Sequence, residues 1–202
     1  MYLCKVVYII WRGYMARKTQ ISRDVILDAA FKMLVRDGYA SINITRLAKE
    51  IGCSTQPIAW HFGNMDGLRE ALLEYCLVFL KDRYIVDGEN AASILERIAF
   101  QYVELAYDYP NLYKYLYMTE QEGRRIATVA HGLRADNQDK LMQMLQSEHS
   151  IGTEAAEKYL LNMQLYVHGI SSFAAAKISF QSKEMLMQMI HEASDAFLKQ
   201  LK

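Results

Sequence analysis

The stretch Asn43-Ile44-Thr45-Arg46-Leu47-Ala48-Lys49-Glu50-Ile51-Gly52-Cys53-Ser54-Thr55-Gln56-Pro57-Ile58-Ala59-Trp60-His61-Phe62 decides the fold. Asn43 suits an N-cap, because its side chain can accept from an amide of the first helical turn. Leu47, Ala48 and Ile51 then share one face of a helix of about two turns, which Gly52 ends. Ser54 is placed to cap a second short helix. Pro57 falls in that helix's first turn, where a missing N–H costs little and the Gln56 amide is left for the Ser54 hydroxyl. Two short helices joined by Gly52-Cys53-Ser54, with small Ala48 at the crossing, make a helix-turn-helix signature.

Outward from this core the periodicity stays helical. Upstream, Ser22 is the expected N-cap and Asp24 suits the positive helix end. Ile26, Ala29, Ala30, Met33 and Leu34 recur at helical spacing as one apolar stripe, and Gly38 is expected to end that helix in a left-handed cap. Downstream, a helix is expected from Asp66 to Lys81. Ser93 and Glu96 have capping-box spacing before a run that ends at Tyr109-Pro110. A short helix at Asn111–Met118, a longer one around Glu122–Gln146 and two more beginning at Thr153 and Ser182 complete the pattern. The chain therefore reads as all-α, with about nine helices: an N-terminal three-helix unit and a larger helical body.

Composition narrows the function classes. With 52% hydrophobic residues and 2 prolines, a disordered or low-complexity chain is excluded. The net charge is zero, yet from Met1 to Met65 nine basic side chains face four acidic ones, a net of +5, which leaves −5 for the remainder. A neutral total thus hides a basic front and an acidic body. Cys4, Cys53 and Cys76 are odd in number, and none forms a CxxC or Cys/His pair at metal-ligand spacing. No disulfide framework, metal site or cofactor is expected, and a reducing cytoplasm is the expected compartment. The apolar run Val6 to Trp11 is too short to cross a bilayer, which takes roughly 20 residues, so no membrane role is expected. Met15 opens Met-Ala-Arg-Lys-Thr-Gln, a natural start for a basic arm, and residues 1–14 read as an upstream extension.

The stretch Ile26–Leu68 resembles the DNA-binding domain of the tetracycline-repressor (TetR) family. The anchor positions appear in order as Ile26-Leu27-Asp28-Ala29-Ala30, Gly38-Tyr39, Leu47-Ala48, Gly52-Cys53-Ser54, Trp60-His61-Phe62 and Leu68. Two positions depart from the family pattern: Ala59 stands where a Tyr is usual and Met65 where a Lys is usual, both of which grip phosphates in relatives. The losses bear on affinity more than on operator choice, since phosphate contacts position a protein and base contacts specify sequence. The resemblance implies a DNA-binding domain over residues 15–65 and an effector-binding and dimerisation domain over residues 66–202. It also implies a transcriptional regulator, commonly a repressor, that binds double-stranded operator DNA as a homodimer and is released by a small-molecule effector. The expected DNA contacts are Thr55 and Gln56 on base edges, with Ser54 beside them. Trp60, His61, Thr45 and Arg46 are expected at the sugar-phosphate edge, with Arg17 and Lys18 as a salt-dependent arm.

The body carries two candidate sites. Tyr102, Tyr113, Tyr117, Tyr166 and His168 are an effector-pocket set, because tyrosines offer apolar rings with one polar handle each, suited to an aromatic or amphipathic ligand. Gly169, Ser172 and Ala176 on one helix and Leu186, Met189, Ile190, Ala193 and Phe197 on the next are the expected dimer interface. The expected switch is a repositioned fourth helix that changes the spacing of the two reading heads. An enzyme is not expected: the chain has no Gly-rich phosphate loop, no Ser/His/Asp arrangement and no Glu-x-x-His pair. The alternative is a partner-binding module of the same fold with weakened DNA contact, motivated by Ala59 and Met65.

Overall fold

A computed structural model describes residues 21–81, 88–118, 139–178 and 182–200. All regular structure among these residues is helical. In chain order the helices are α1 (Arg23–Asp37), α2 (Ile44–Ile51), α3 (Gln56–Phe62), α4 (Met65–Lys81), α5 (Ala91–Asp108) and α6 (Pro110–Tyr117). Helical residues 139–149 form α7, followed by α8 (Thr153–Ala175) and α9 (Lys183–Lys199). A single 3-10 turn, Tyr39–Ser41, links α1 to α2. Residues 1–20 and 119–138, which hold the upstream extension, Arg17, Lys18 and most of the expected Glu122–Gln146 helix, lie outside the described residues.

The N-terminal helices begin and end where local chemistry dictates, with two differences. Ser22 Oγ accepts from Val25 N at 3.3 Å, and Asn43 Oδ1 accepts from Arg46 N at 2.8 Å. Ile26, Leu27, Ala30, Met33 and Leu34 form the buried stripe of α1, with Ala29 half-buried at its margin. Gly52 ends α2 at φ 77°, ψ 33°, the left-handed conformation. Gly38 also takes positive φ, 82°, but its ψ of 168° sends the chain onward extended, a region open essentially to glycine alone. The second difference is at α3. Thr55, not Ser54, is its N-cap: the Thr55 carbonyl accepts from Ala59 N at 3.0 Å, while its own backbone is already helical and its side chain does not cap. Ser54 therefore stands one residue outside the helix, too early for the expected bond.

In the body, the capping box lies one turn earlier than Ser93 and Glu96 suggested. Asn90 Oδ1 accepts from Ser93 N at 2.8 Å, and Ser93 Oγ accepts from Asn90 N at 3.2 Å. Both members must flank the first turn, and Ser93 already occupies its third position. Glu148 reaches over from α7 and accepts from Ala91 N, satisfying a further orphan donor of α5. Helices α5, α6, α8 and α9 then pack around Ile94, Leu112, Tyr113, Tyr159, Ala175 and Ile190, all essentially inaccessible to solvent. Within this core Tyr159 and Ser194 share a buried hydrogen bond at 2.7 Å. Burial pushes the Cys76 thiol on α4 up to about 12, leaving a small apolar filler with no reactive thiolate. No described helix is long and apolar enough to cross a membrane.

An exposed brace joins α9 to α5. His191 Nδ1 lies 2.7 Å from Glu96 Oε1, and Nε2 lies 4.0 Å from Asp195. The hydrogen bond to Glu96, then the charges of Glu96 and Asp195 and more weakly Glu192, raise the imidazole above its ordinary value. The brace is therefore fully present below the ordinary imidazole value of about 6.5 and is lost as pH rises through the raised one. An NMR titration of His191 should show a midpoint above the ordinary value, and Glu96→Gln should lower it; a midpoint insensitive to Glu96→Gln would show that the contact does not form.

Candidate functional site

The N-terminal helices build a compact head that leaves one side of α3 exposed. Its inner side is fixed by Ile58, wholly buried, and by half-buried Phe62, over whose ring the Arg23 guanidinium sits at 5.5 Å. Its outer side presents Thr55, Gln56, Ala59 and Trp60, all exposed, as are Ser54 and Thr45 nearby. Trp60 is 69% exposed, an unusual state for the largest apolar side chain. Its ring stands edge-on to His61 at 4.5 Å.

Two expected phosphate contacts are already engaged inside the subunit. His61 Nε2 lies 2.9 Å from the Ile21 carbonyl; a carbonyl can only accept, so Nε2 carries the proton and ties the start of the described chain to α3. This makes His61 an anchor for the chain entering α1, and its Nε2 proton is committed there. Arg46 Nη2 donates to Asp37 Oδ2 at 2.7 Å, while Arg36 bridges Asp37 at 3.0 Å and Glu50 at 2.8 Å. The Arg36 guanidinium holds both the Asp37 and Glu50 carboxyls below their ordinary range. Lys32 pairs with Asp28 at 2.7 Å along α1.

These pairs leave the head itself almost neutral. Between residues 21 and 65 there are five basic and four acidic side chains, whereas residues 1–20 hold four basic side chains and no acid. Most of the front's excess charge thus lies on the segment that precedes the described head.

The turn from α3 to α4 is set by backbone contact. Asn64 Oδ1 accepts from Asp66 N at 2.9 Å and Gly67 N at 3.0 Å, capping α4. A Cβ on Gly67 would stand 2.1 Å from the Phe62 carbonyl oxygen, so only glycine allows this approach. Met65, which replaces the usual Lys, is half-buried against the core and serves packing there.

In the body, four of the five expected effector residues converge. The Tyr102 and Tyr113 hydroxyls lie 2.9 and 3.1 Å from His168 Nδ1, and Tyr113 also reaches Ser172 Oγ at 3.3 Å. The Tyr102 ring stands edge-on to Tyr113 at 5.2 Å and to Tyr117 at 4.8 Å. Burial raises the Tyr113 phenol above its ordinary value, partly offset by hydrogen bonds from Ser172 and Tyr102. Tyr166 is elsewhere: its ring meets Phe197 of α9 at 6.1 Å, because it stands two residues, about 200° around the helix, from His168. Spacing on α8 alone separates Tyr166 from His168, and it puts Ser172, expected at the dimer interface, one turn beyond His168 on the side of the cluster.

The outward face of α8 and α9 also differs from the expected stripe. Leu186 and Ile190 are buried within the subunit, Phe197 and Ala193 are half-buried, and Ser172 faces Tyr113. The exposed apolar row keeps Met189 and Ala176 of the expected set and adds Leu161, Leu165 and Phe173 on α8, each more than half exposed, and Met185 on α9. Gly169 lies in this row, and a Cβ there would meet nothing within 4 Å. Period gives the sides of α9, but which side the subunit's own core claims depends on the helices packed against it, which the period cannot show.

The Gly67 approach gives a direct check on the head. Gly67→Ala should cost about 1–3 kcal/mol through backbone displacement, read by thermal or denaturant unfolding. Stability equal to the parent would mean that α3 and α4 are not held this closely.

The residue pattern of the family described as bacterial regulatory proteins, tetR family, matches residues 26–72. Two uncharacterized HTH-type transcriptional regulators of Mycobacterium tuberculosis, from strains CDC 1551 and H37Rv, are 38% identical over 56 residues. That segment spans 28% of this chain and 28% of either relative. Among solved structures, a TetR transcription regulator from Haloarcula marismortui is 21% identical, with a TM-score of 0.60, over 85% of this chain and 95% of its own. A protein of unknown function from Rhodococcus sp. RHA1 reaches a TM-score of 0.65 at 22% identity, over 93% and 97% of the two chains. A TetR from Acinetobacter baumannii AYE, solved in complex with minocycline, reaches 0.54 at 16% identity, over 89% and 95%. At these identities the structural likeness shows a shared fold. The sequence match falls on α1 to α4, and the family and its named members are transcriptional regulators, not enzymes. The helix-turn-helix unit, α1 to the middle of α4, is thus similar in sequence to that of the tetR family of bacterial regulatory proteins.

Proposed function

We propose that the protein is a repressor that binds operator DNA as a homodimer and is released when a small molecule occupies the tyrosine–histidine cluster. The observation that carries this reading is the outer side of α3. Thr55, Gln56 and Trp60 stand exposed on a short helix whose inner side and both ends are fixed by α1, α2 and α4. Gln56 offers a donor and an acceptor for an adenine edge, Thr55 a methyl for thymine, and Trp60 an aromatic surface for the sugar-phosphate edge. Residues 15–65 act as the DNA-binding unit and residues 66–202 as the effector and dimer unit. Arg17 and Lys18 add phosphate attraction that the locally paired head lacks.

Dimerisation places two heads on half-sites about one duplex turn apart, roughly 34–36 Å. The row Leu161, Leu165, Gly169 and Phe173, with Met185 and Met189 beside it, supplies the apolar face and the close approach at Gly169 that two packed helix pairs need. In the cluster, three phenol rings and one imidazole favour an aromatic or amphipathic ligand with a hydrogen-bonding group.

Fluorescence anisotropy on duplex flanking the protein's own gene, across a salt series and against unrelated duplex, tests the reading. Sequence-selective binding that weakens steeply with salt is expected. Gln56→Ala should cost about 1–3 kcal/mol and relax selectivity at one base pair per half-site. Arg17→Ala with Lys18→Ala should weaken binding to all duplexes and reduce the salt slope by about 2. Binding no better than to unrelated duplex, for this and for a random-sequence pool, would favour the partner-binding alternative. For the dimer, Leu165→Glu should convert the protein to a monomer in analytical ultracentrifugation; an unchanged sedimentation coefficient would move the interface elsewhere.

A further inference from the structure

The charged side chains at the corner where α1 meets α2 are not bound equally. Arg36, in the last turn of α1, is fully committed. Its Nε and Nη2 donate to the two oxygens of Asp37 at 3.0 Å each, and its Nη1 and Nη2 donate to the two oxygens of Glu50 at 2.8 and 3.1 Å. Two such bidentate contacts hold a planar guanidinium in one orientation. Arg46, in the first turn of α2, makes a single bond among the described residues: its Nη2 donates to Asp37 Oδ2 at 2.7 Å. Its side chain is 48% exposed, against 23% for that of Asp37. The rest of the guanidinium is left for a second acceptor.

Asp37 does not depend on that bond. The Arg36 hydrogen bond is the largest influence holding the Asp37 carboxyl below its ordinary range, and the charge of Arg46 is the smallest. If Arg46 leaves, Asp37 keeps both bonds to Arg36, so no carboxylate is stranded. The backbone of α2 does not have to follow, because Asn43 Oδ1 holds the Arg46 amide at 2.8 Å. Of the two arginines, Arg46 is the one that can change partner by side-chain rotation alone.

We propose that Asp37 competes with the DNA backbone for Arg46: it holds the guanidinium in the free protein and yields it to a phosphate when the head docks. The proposal rests on the DNA reading above and adds a residue to it. The first helix of a helix-turn-helix crosses the duplex backbone while the second enters the groove, so the first turn of α2 lies where phosphates pass. A phosphate offers a guanidinium two oxygens, as a carboxylate does, and docking releases a condensed counterion besides. Against it stands one exposed ion pair, a weak class of charge contact. The exchange therefore goes forward, but each docking head gives up the Asp37 bond first. That cost falls on duplex of every sequence alike, because phosphate contacts carry no sequence information. Asp37 is thus a brake on backbone affinity that leaves the base contacts of α3 untouched.

The experiment is a double-mutant cycle of the full chain, read by fluorescence anisotropy across a salt series on a duplex selected from a random pool and on unrelated duplex. The forms are the parent, Asp37→Asn, Arg46→Gln and the double variant. Asp37→Asn should raise affinity about threefold to tenfold on both duplexes and leave their ratio unchanged, since two exposed pairs per dimer no longer have to break. In the Arg46→Gln background the same change should add only the general attraction of a lost negative charge. Glu50→Gln measures that attraction, because it makes the same charge change and leaves the Arg46–Asp37 bond in place. Arg46→Gln alone should reduce the salt slope by about 1 per head. A rise in Asp37→Asn no greater than in Glu50→Gln, or equal in both Arg46 backgrounds, overturns the proposal, as does an unchanged salt slope in Arg46→Gln. Asp37→Ser, with a shorter neutral side chain, replaces Asp37→Asn if the latter does not fold. Absence of duplex binding by every form removes the DNA reading and this proposal together, whereas binding by all forms without coupling removes the proposal alone.

Discussion

The placement of α3 depends on one close approach, the backbone of Gly67 against the carbonyl of Phe62. Because no Cβ intervenes, α4 starts directly beneath the end of α3, and the Asn64 side chain caps it within the same turn. The short α3 could not hold its angle alone, since isolated helices of this length are marginal in water. Its orientation comes from Ile58 in the core, from the His61 bond to Ile21 and from this turn. Fixing those three leaves Thr55, Gln56 and Trp60 as the outward surface.

Charge is divided between two tasks. Within the head, Arg36, Arg46, Asp37 and Glu50 neutralise one another and hold α1 against α2. Being exposed, these pairs contribute modest stability, and their main effect is geometric. The excess positive charge is carried by residues 1–20, where four basic side chains stand without an acid. In the proposed function, a nearly neutral head preceded by a basic segment would separate reading from attraction, the division that distinguishes base contacts from phosphate contacts.

Much of this was legible in the sequence, for local reasons. Ser22, Asn43, Gly52 and Ser182 act within one turn of themselves, so a cap residue next to an apolar stripe suffices to locate them. The family resemblance over Ile26–Leu68 and the all-helical class follow from the same short-range signals. What was not legible is long-range. Arg46 reads as a phosphate ligand until Asp37 is placed beside it, and Leu186 and Ile190 read as a surface stripe until the subunit's own core covers them. Periodicity gives the sides of a helix but not which neighbour each side meets. The tyrosine cluster lies between: composition flagged the residues, but only the packing of α5, α6 and α8 separates Tyr166 from Tyr102, Tyr113 and His168.

The most direct test of the account is a methylation-protection footprint on a duplex selected by the protein from a random pool. The account predicts two patches of major-groove protection on one face of the duplex, centred roughly 34–36 Å apart, with Gln56→Ala losing protection at one base pair in each. A single patch, or protection confined to the minor groove and indifferent to Gln56→Ala, would contradict it.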